Sequence, residues 1–527
     1  MRRIYLLRLL CPKLRIDGSS PEFSAAIRSD MAGMEKVIKA NGMHDKQLKT
    51  ITLLGKERRV KKPVERKMSR AADGIQERLT SYACGLNYDS LSPEAIHAAK
   101  VRVIDTLGTL IGGFFDEPCR IARNLAAQMP DPNGATVIGT RMKTMPDMAA
   151  FVNATTARYA ELTDSYHRPS SYGGHPSDVI TPLLAAAEHA QVTGREFITS
   201  VVLGYEVFLH ISDVFHNPGF DYTNFVCLGS AVAAGKLYGL SPDQLSHCIS
   251  MAVVPNVILR QVRGGQKSMF KAAAAGQAGR AGVFAALLAR EGMEGPHLPF
   301  EGKAGWCEHV ARERFSLNTM GNNSTHFKIL ETLIKNRPAN GASIPAILAA
   351  EKVAPLRNIK EVKQVIVEVY QAAKESAGTG EHQWNPESKE SADHSIPYVV
   401  AATLMDGTVT LRSYNDSHLW NPELRALMQK IEVVENEEFT KAYDRESQEH
   451  RMRVTVVTSG GDRIVGESGG DQDDMSAPKS DAQIEEKFRV LTEDYLGAKQ
   501  VNAILKCLWR LENMENVTKI PPLFVLD

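Results

Sequence analysis

The chain has 527 residues, of which 43% are apolar and 7% aromatic. One hydrophobic core rarely organises so long a chain, so two or more domains are expected, and the abundance of alanine favours tightly packed helices over a large sheet. Formal net charge is zero and there is no run of 18 apolar residues, so neither nucleic-acid binding nor a membrane span is indicated.

The zero conceals a split. Residues 1–70 carry 18 Lys/Arg against 7 Asp/Glu, which leaves 44 against 55, a net of −11, in the remainder. Residues 1–71 read as a basic leader, disordered or targeting. Met1-Arg2-Arg3-Ile4-Tyr5-Leu6-Leu7-Arg8-Leu9-Leu10 has a trace of a signal peptide. Arg8 breaks the apolar stretch, however, and no small-residue cleavage site follows promptly. A mitochondrial presequence, a disordered extension, and a start upstream of Met31, Met34 or Met68 are the other readings. Seven scattered cysteines, Cys11, Cys84, Cys119, Cys227, Cys248, Cys307 and Cys507, form no CxxC pair. Zinc, cluster and disulfide-framework readings are therefore weak, and a reducing compartment is expected. That compartment is the cytoplasm, or the mitochondrial matrix if the leader is a presequence.

Ordered structure is expected from about Ile75. Ser92-Pro93-Glu94 opens a helix with a cap, a proline and an acid, and Gly112-Gly113 ends it. Helical patterns follow over Thr181 to Gln191, Arg195 to Phe215, Leu228 to Leu240, from Ser241-Pro242-Asp243, and over Ser268 to Ala289. The small residues Ala272 to Gly279 suit close helix packing. After residue 325 the texture changes. Glu361 to Tyr370, Ile431 to Val434 and Arg451 to Thr458 are β-branched with partial alternation. Ser459-Gly460-Gly461-Asp462 before Arg463-Ile464-Val465 predicts a hairpin. Gly466 to Asp481 reads as a loop, and helices over Ala482 to Leu496 and Val501 to Leu511 close the chain. The fold class is mainly α: a large all-α helical domain (72–324), a smaller inserted α+β domain (325–467), and C-terminal helices (468–527) returning to the first.

Three segments could carry chemistry. His175-Pro176-Ser177-Asp178 leads into the helix near Thr181. A helix N-terminus attracts anions, and imidazole is the side chain best suited to proton transfer near neutral pH. Plain helix capping by Ser177 or Asp178 is the alternative. Upstream, Glu161-Leu162-Thr163-Asp164-Ser165-Tyr166-His167 places two carboxylates three residues apart beside a Tyr and a His. They would form an acid and base in one pocket, or a solvated turn. Arg260, Arg263, Lys267 and Lys271 make a cationic stretch around Gly264-Gly265, with Lys267 and Lys271 on one face if the helix includes both. An anionic ligand would relieve their repulsion; surface solvation is the alternative. Lys335 and Arg337 could extend the patch.

Together these segments resemble the MmgE/PrpD family, which includes 2-methylcitrate dehydratase and cis-aconitate decarboxylase. The resemblance spans about 75–512. It rests on Asp105-Thr106-Leu107-Gly108, Asn153 through Asp164, Gly174-His175-Pro176-Ser177-Asp178, Gly204-Tyr205-Glu206, Lys271 with Gly276, Glu291 to Pro296, and Ala392-Asp393-His394-Ser395. It implies a homodimer working without metal or other cofactor. Glu161 resembles the family's acidic active-site position, Asp164 and Ser165 the polar pair after it, His175 the active-site histidine, and Lys271 and Lys335 the two pocket lysines. Three departures touch the site. Glu161 stands where Asp is usual, Tyr222 where a His is common, and the segment after Lys335 lacks a His often seen there.

The implied activity is dehydration of a 2-methylcitrate-like tricarboxylate. Arg263, Lys267, Lys271 and Lys335, with Ser165 and Tyr222, would bind substrate. His175 or the Glu161/Asp164 pair would remove the carbon-bound proton, and the other, or Tyr166, would protonate the leaving hydroxyl. Decarboxylation of cis-aconitate by the same groups is the first alternative, and a diverged, non-catalytic tricarboxylate-binding protein the second.

Overall fold

The computed structural model describes residues 72–526, apart from 318, 323, 446–447, 470–474 and 476. The leader readings therefore lie outside the described residues. The first helix among the described residues, α1 (Gly74–Gly85), is capped by the Asp73 carboxylate, which also accepts the backbone N–H groups of Phe300 and Glu301. Helix α2 (Pro93–Gly112) opens at the Ser92 cap and stops at Gly113. After α3 (Glu117–Ala126) comes a small hairpin, β1 (Pro130–Thr136) with β2 (Lys143–Thr144). Its proline- and glycine-containing sequence has no strand-like alternation, so it was not anticipated.

Next come α4 (Pro146–Tyr159), a 3-10 turn at Pro176–Val179, α5 (Ile180–Ala190), α6 (Gly194–Ser212), α7 (Thr223–Leu237) and α8 (Pro242–Val253). Reciprocal side-chain caps fix the starts of α6 (Thr193 with Glu196) and α8 (Ser241 with Gln244). Helix α9 runs Phe270–Arg290. It starts after Lys267, so Lys267 and Lys271 do not share a helix face. By length and composition α9 could cross a bilayer, but 67% of its apolar stretch is buried within the protein. It packs on α4 and α7. A Cβ on Gly276 would sit 2.2 Å from Thr155 Oγ1, and one on Gly282 2.6 Å from the Cys227 carbonyl. Only glycine lets the three helices approach so closely.

A second hydrophobic cluster involves α10 (Ile344–Glu351), α11 (Gln371–Ala377), α13 (Ile396–Asp406), α14 (Pro422–Met428) and α15 (Glu437–Tyr443), with the short α12 (Lys389–Ala392) between α11 and α13. These surround a four-stranded sheet of β3 (Val362–Val369), β4 (Ile431–Glu435), β5 (Met452–Thr458) and β6 (Arg463–Ser468), ordered β4-β3-β5-β6. β3 and β4 are parallel and the other pairs antiparallel. Val365, Val367 and Val369 of β3 meet Val454 and Val456 of β5 in this core. The sheet's β-branched runs are those visible in the sequence, and β6 extends to Ser468, three residues into the stretch read as loop.

The last long helix, α16 (Asp481–Leu508), breaks at Gly497, whose φ is 74°. Its Ile484, Phe488, Val501 and Leu505 join the core of α1, α2 and α5–α8, and α16 packs along α2. The molecule is thus mainly helical with a smaller α+β part. Side chains of the helical core run from Ile75 to Ile329 and again from Ile484 to Phe524, and those of the α+β core from Ala339 to Met475.

Candidate active site

Arg158, the last residue but one of helix α4, is 1% exposed. The chain turns at Ala160, and Glu161 takes the left-handed conformation at φ 52°. That conformation costs a non-glycine residue about 1–2 kcal/mol, and here it returns the carboxylate to Arg158, with Nη1–Oε2 at 2.7 Å and Nη2–Oε1 at 3.0 Å. Lys335 Nζ donates to Oε1 at 2.7 Å and Lys271 Nζ lies 3.1 Å from Oε2. Lys271 also donates to Asp393 Oδ1 at 2.8 Å. The other Asp393 oxygen accepts from Lys389 Nζ at 2.8 Å, and Lys389 donates as well to the Tyr159 carbonyl. Two buried carboxylates, one after α4 and one after α12, are therefore bridged by Lys271 at the start of α9.

The charge states follow from this sharing. Burial alone would raise the Glu161 carboxyl, but Arg158, Lys335 and Lys271 outweigh it and hold it well below the carboxylate range. Asp393 is likewise held low against burial, by Lys271 and Lys389. Each carboxylate serves several cations, so the lysines are less well compensated. Burial brings Lys335 down to about 8 despite Glu161, and lowers Lys271 despite Asp393 and Glu161. Burial and neighbouring Lys271 bring Lys267 to about 8.

His175 follows two positive-φ glycines, Gly173 and Gly174, and lies 3.4 Å from Glu161 Oε1 through Nε2. Its Nδ1 is 2.7 Å from the Asp164 carbonyl, which can only accept, so Nδ1 carries the hydrogen and Nε2 the lone pair. Burial, reinforced by Arg158 and Lys335, keeps this imidazole neutral near pH 7. No side-chain cap marks the turn after it. Instead, the Asp164 carboxylate, from another segment, accepts the Ser177 N–H at 3.0 Å and the Tyr205 hydroxyl at 2.9 Å. Asp178 accepts the Tyr222 hydroxyl at 2.9 Å and lies 3.8 Å from Arg158 Nε; burial pushes it up to about 7 against that arginine.

The expected residues thus separate. Glu161, His175, Lys271 and Lys335 come together. Asp164 does not share a pocket with Glu161; its carboxylate holds the His175 turn. The Tyr166 hydroxyl bonds Asp213 at 2.9 Å and Glu331 at 3.3 Å, away from the Glu161 group. Ser165 is buried with its backbone paired to Leu333. Tyr222 accepts from Arg158 Nε at 3.0 Å and carries Arg263 over its ring. Arg263 itself is neutralised by Asp221 at 2.7 Å. Lys267 borders the cluster, its backbone tied to Ser388 and Ser391. Arg337 leaves the patch altogether and pairs with Glu351 at 2.5 Å.

Arg158 was missed, although one arginine in a helix of Ala and Thr, three residues before an acid, was a visible signal. Asp393 and His394 stood within a resembling motif without an assigned role. Atoms of Glu161, Asp393 and His394 lie within 4.8 Å of one another, the spacing of a metal site. The chemistry does not fit one: Lys271 already bridges two of them, and Arg158, Lys335 and Lys389 add further positive charge. An added divalent cation would have to displace these lysines and the arginine, whose charge already satisfies both carboxylates.

A mainly helical protein with a smaller α+β part and a buried, cation-rich ion-pair cluster drawing on both is the class this geometry defines. The MmgE/PrpD N-terminal domain matches residues 77–317 and the MmgE/PrpD C-terminal domain residues 338–512. The chain belongs to the MmgE/PrpD family. It is 25% identical to human cis-aconitate decarboxylase over 478 residues, 85% of this chain and 94% of that one. It is 25% identical to 2-methylcitrate dehydratase of Salmonella typhi over 403 residues, 72% of this chain and 82% of that one. With the mitochondrial 2-methylcitrate dehydratase of Yarrowia lipolytica it shares 27% identity over 383 residues, 68% of this chain and 72% of that one.

Proposed function

We propose that the protein is a lyase that eliminates water from a 2-methylcitrate-like tricarboxylate by acid–base chemistry of its own side chains, with no cofactor. The observation that carries this reading is the charge of the cluster around His175. Among the described residues, the close ion pairs of Arg158, Lys271, Lys335 and Lys389 run to Glu161 and Asp393, with Asp178 3.8 Å from Arg158 and Glu390 acting on Lys389. Buried positive charge in excess is costly unless a ligand supplies anions, and a polycarboxylate supplies them. Lys271 has a donor to spare after Asp393 and Glu161, whereas Lys335 is fully used by Glu161 and the Ala339 carbonyl.

In this reading His175 Nε2 takes the carbon-bound proton, because it presents a lone pair and its tautomer is fixed. Glu161 is too acidic to serve as that base; it orders the cations that stabilise charge growing on the substrate carboxylate beside the carbanion. Asp164 positions His175. Proton NMR of purified protein with citrate, 2-methylcitrate and cis-aconitate tests the proposal: loss of water from 2-methylcitrate is expected, and no dehydration of any hydroxy acid overturns it. Decarboxylation is the second reading, favoured by the 94% of human cis-aconitate decarboxylase that the alignment covers, and carbon dioxide release from cis-aconitate would decide for it. We propose further that the protein works as a homodimer, in the cytoplasm or, if its leader is a presequence, in the mitochondrial matrix. Light scattering and the location of a tagged chain test these points.

A further inference from the structure

Elimination needs a second group, one that gives the departing hydroxyl a proton. Tyr166 is turned away, and Lys335 has no donor to spare. His394 stands beside the same cluster, 8% exposed, at the start of the turn into α13. Its Nδ1 is 2.5 Å from Asp393 Oδ1 and 3.2 Å from Lys271 Nζ. A contact of 2.5 Å between a ring nitrogen and a carboxylate oxygen requires a hydrogen between them. Nδ1 is therefore the donor, Lys271 is a neighbour rather than a partner, and Nε2 faces away from Asp393.

Two imidazoles thus flank Glu161 with different backing. His175 rests on a neutral backbone carbonyl and is crowded by Arg158 and Lys335. His394 rests on a carboxylate, the arrangement that stabilises an imidazolium. We propose that His394, held by Asp393, is the acid that protonates the leaving hydroxyl while His175 acts as base. The inference rests on the dehydratase reading. Such pairs, their environments set apart, are how one site runs acid and base chemistry together.

The groups facing His394 are Asp393, Lys271 and Glu161, with Lys389 on the far oxygen of Asp393. In the free protein, burial and Lys271 hold His394 near 3 against the pull of Asp393 and Glu161. A bound tricarboxylate neutralises Lys271 and its neighbours, and the imidazole then takes up a proton. In the reaction, His175 Nε2 accepts the C–H proton, the electron pair forms the double bond, and the C–O bond breaks. The hydroxyl leaves as water with the proton from His394 Nε2. Solvent then carries the proton from His175 back to His394.

Calorimetry with tricarballylate, a tricarboxylate with no hydroxyl to lose, tests this independently of turnover. Binding is measured in buffers of different ionisation enthalpy. Wild type should take up about one proton more per site than His394→Gln; equal uptake, or no binding to wild type, overturns the inference. If the variant does not fold, nitrogen-15 NMR of wild type decides: tricarballylate should convert one neutral imidazole to imidazolium, and no conversion overturns it. On 2-methylcitrate, His394→Gln should lose about 10²–10⁴ in kcat. On the analogue with chlorine in place of the hydroxyl, which leaves without a proton, it should stay within about tenfold of wild type. A parallel loss on both compounds counts against His394 as the acid. If wild type turns over neither compound, the dehydratase reading fails, and tricarballylate binding still decides on His394.

Discussion

Glu161 is the side chain on which the cluster is balanced. Replacing it with Gln leaves Arg158, Lys271 and Lys335 short of an anion, and breaking a buried ion network typically costs about 3–5 kcal/mol. Glu161→Gln should lower the melting temperature, and citrate, which restores negative charge, should raise the variant's melting temperature more than that of wild type. Equal shifts would show that citrate does not enter the cluster. His167 makes a second prediction. Burial, with His450 and Lys335 nearby, holds it at about 3, and its Nε2 is buried without a hydrogen-bond partner. The unfolded chain takes up this proton below about 6.5 and the native protein does not. Stability is therefore unaffected above that pH and falls as pH drops from it toward 3. One such proton is worth about 1.4 kcal/mol per pH unit. In urea melts at pH 7 and pH 5, His167→Gln should lose about 2 kcal/mol less than wild type over that interval. At this scale the sequence named Glu161, His175, Lys271 and Lys335 through the family resemblance. It could not say that the Glu161 carboxylate is a saturated counter-ion, or that Asp164 and Tyr166 point elsewhere. Those depend on where each side chain's partners arrive from, such as Ser177 and Tyr205 for Asp164.

At the scale of elements, local signals were strong where one short segment decides the outcome. Ser92 and Ser241 cap where expected, the valine-rich runs form the sheet, and two helices close the chain. The surprises are boundaries set by distant contacts. Helix α9 starts after Lys267, whose segment is bonded to Ser388 and Ser391 instead. The two closing helices meet at Gly497 with φ 74° and ψ 151°, a region open essentially to glycine alone. A Cβ there would meet nothing within 4 Å. Gly497→Ala should therefore destabilise through backbone strain alone, by about 1–3 kcal/mol in a denaturant titration. A cost near zero would mean that the kink moves.

At the scale of the molecule, the two-part helical and α+β architecture was readable from the change in texture near residue 325. The site's dependence on both parts entered only through the resemblance, which set Lys335 beside Lys271, since periodicity says nothing of which elements meet. Arg158, Glu161, His175 and Lys271 belong to one stretch of chain, and Lys335, Lys389 and Asp393 come more than sixty residues later. Loop closure on this scale makes late, slow assembly the rule. After dilution from denaturant, helical circular dichroism should recover before activity does; simultaneous recovery would show that the site forms with the first helices.

Lys487 on α16 carries this further. Its Nζ lies 2.5 Å from the buried Asp105 carboxylate on α2 and donates at 2.7 Å to the carbonyl of Leu162, the residue after strained Glu161. Donor and acceptor are 325 residues apart. Arg158 and Lys335 hold Glu161 itself, but the next carbonyl, that of Leu162, is held only once α16 has docked on α2. A chain that has folded its other helices still lacks this tie beneath the Glu161 turn, so the site is completed from a helix remote in sequence.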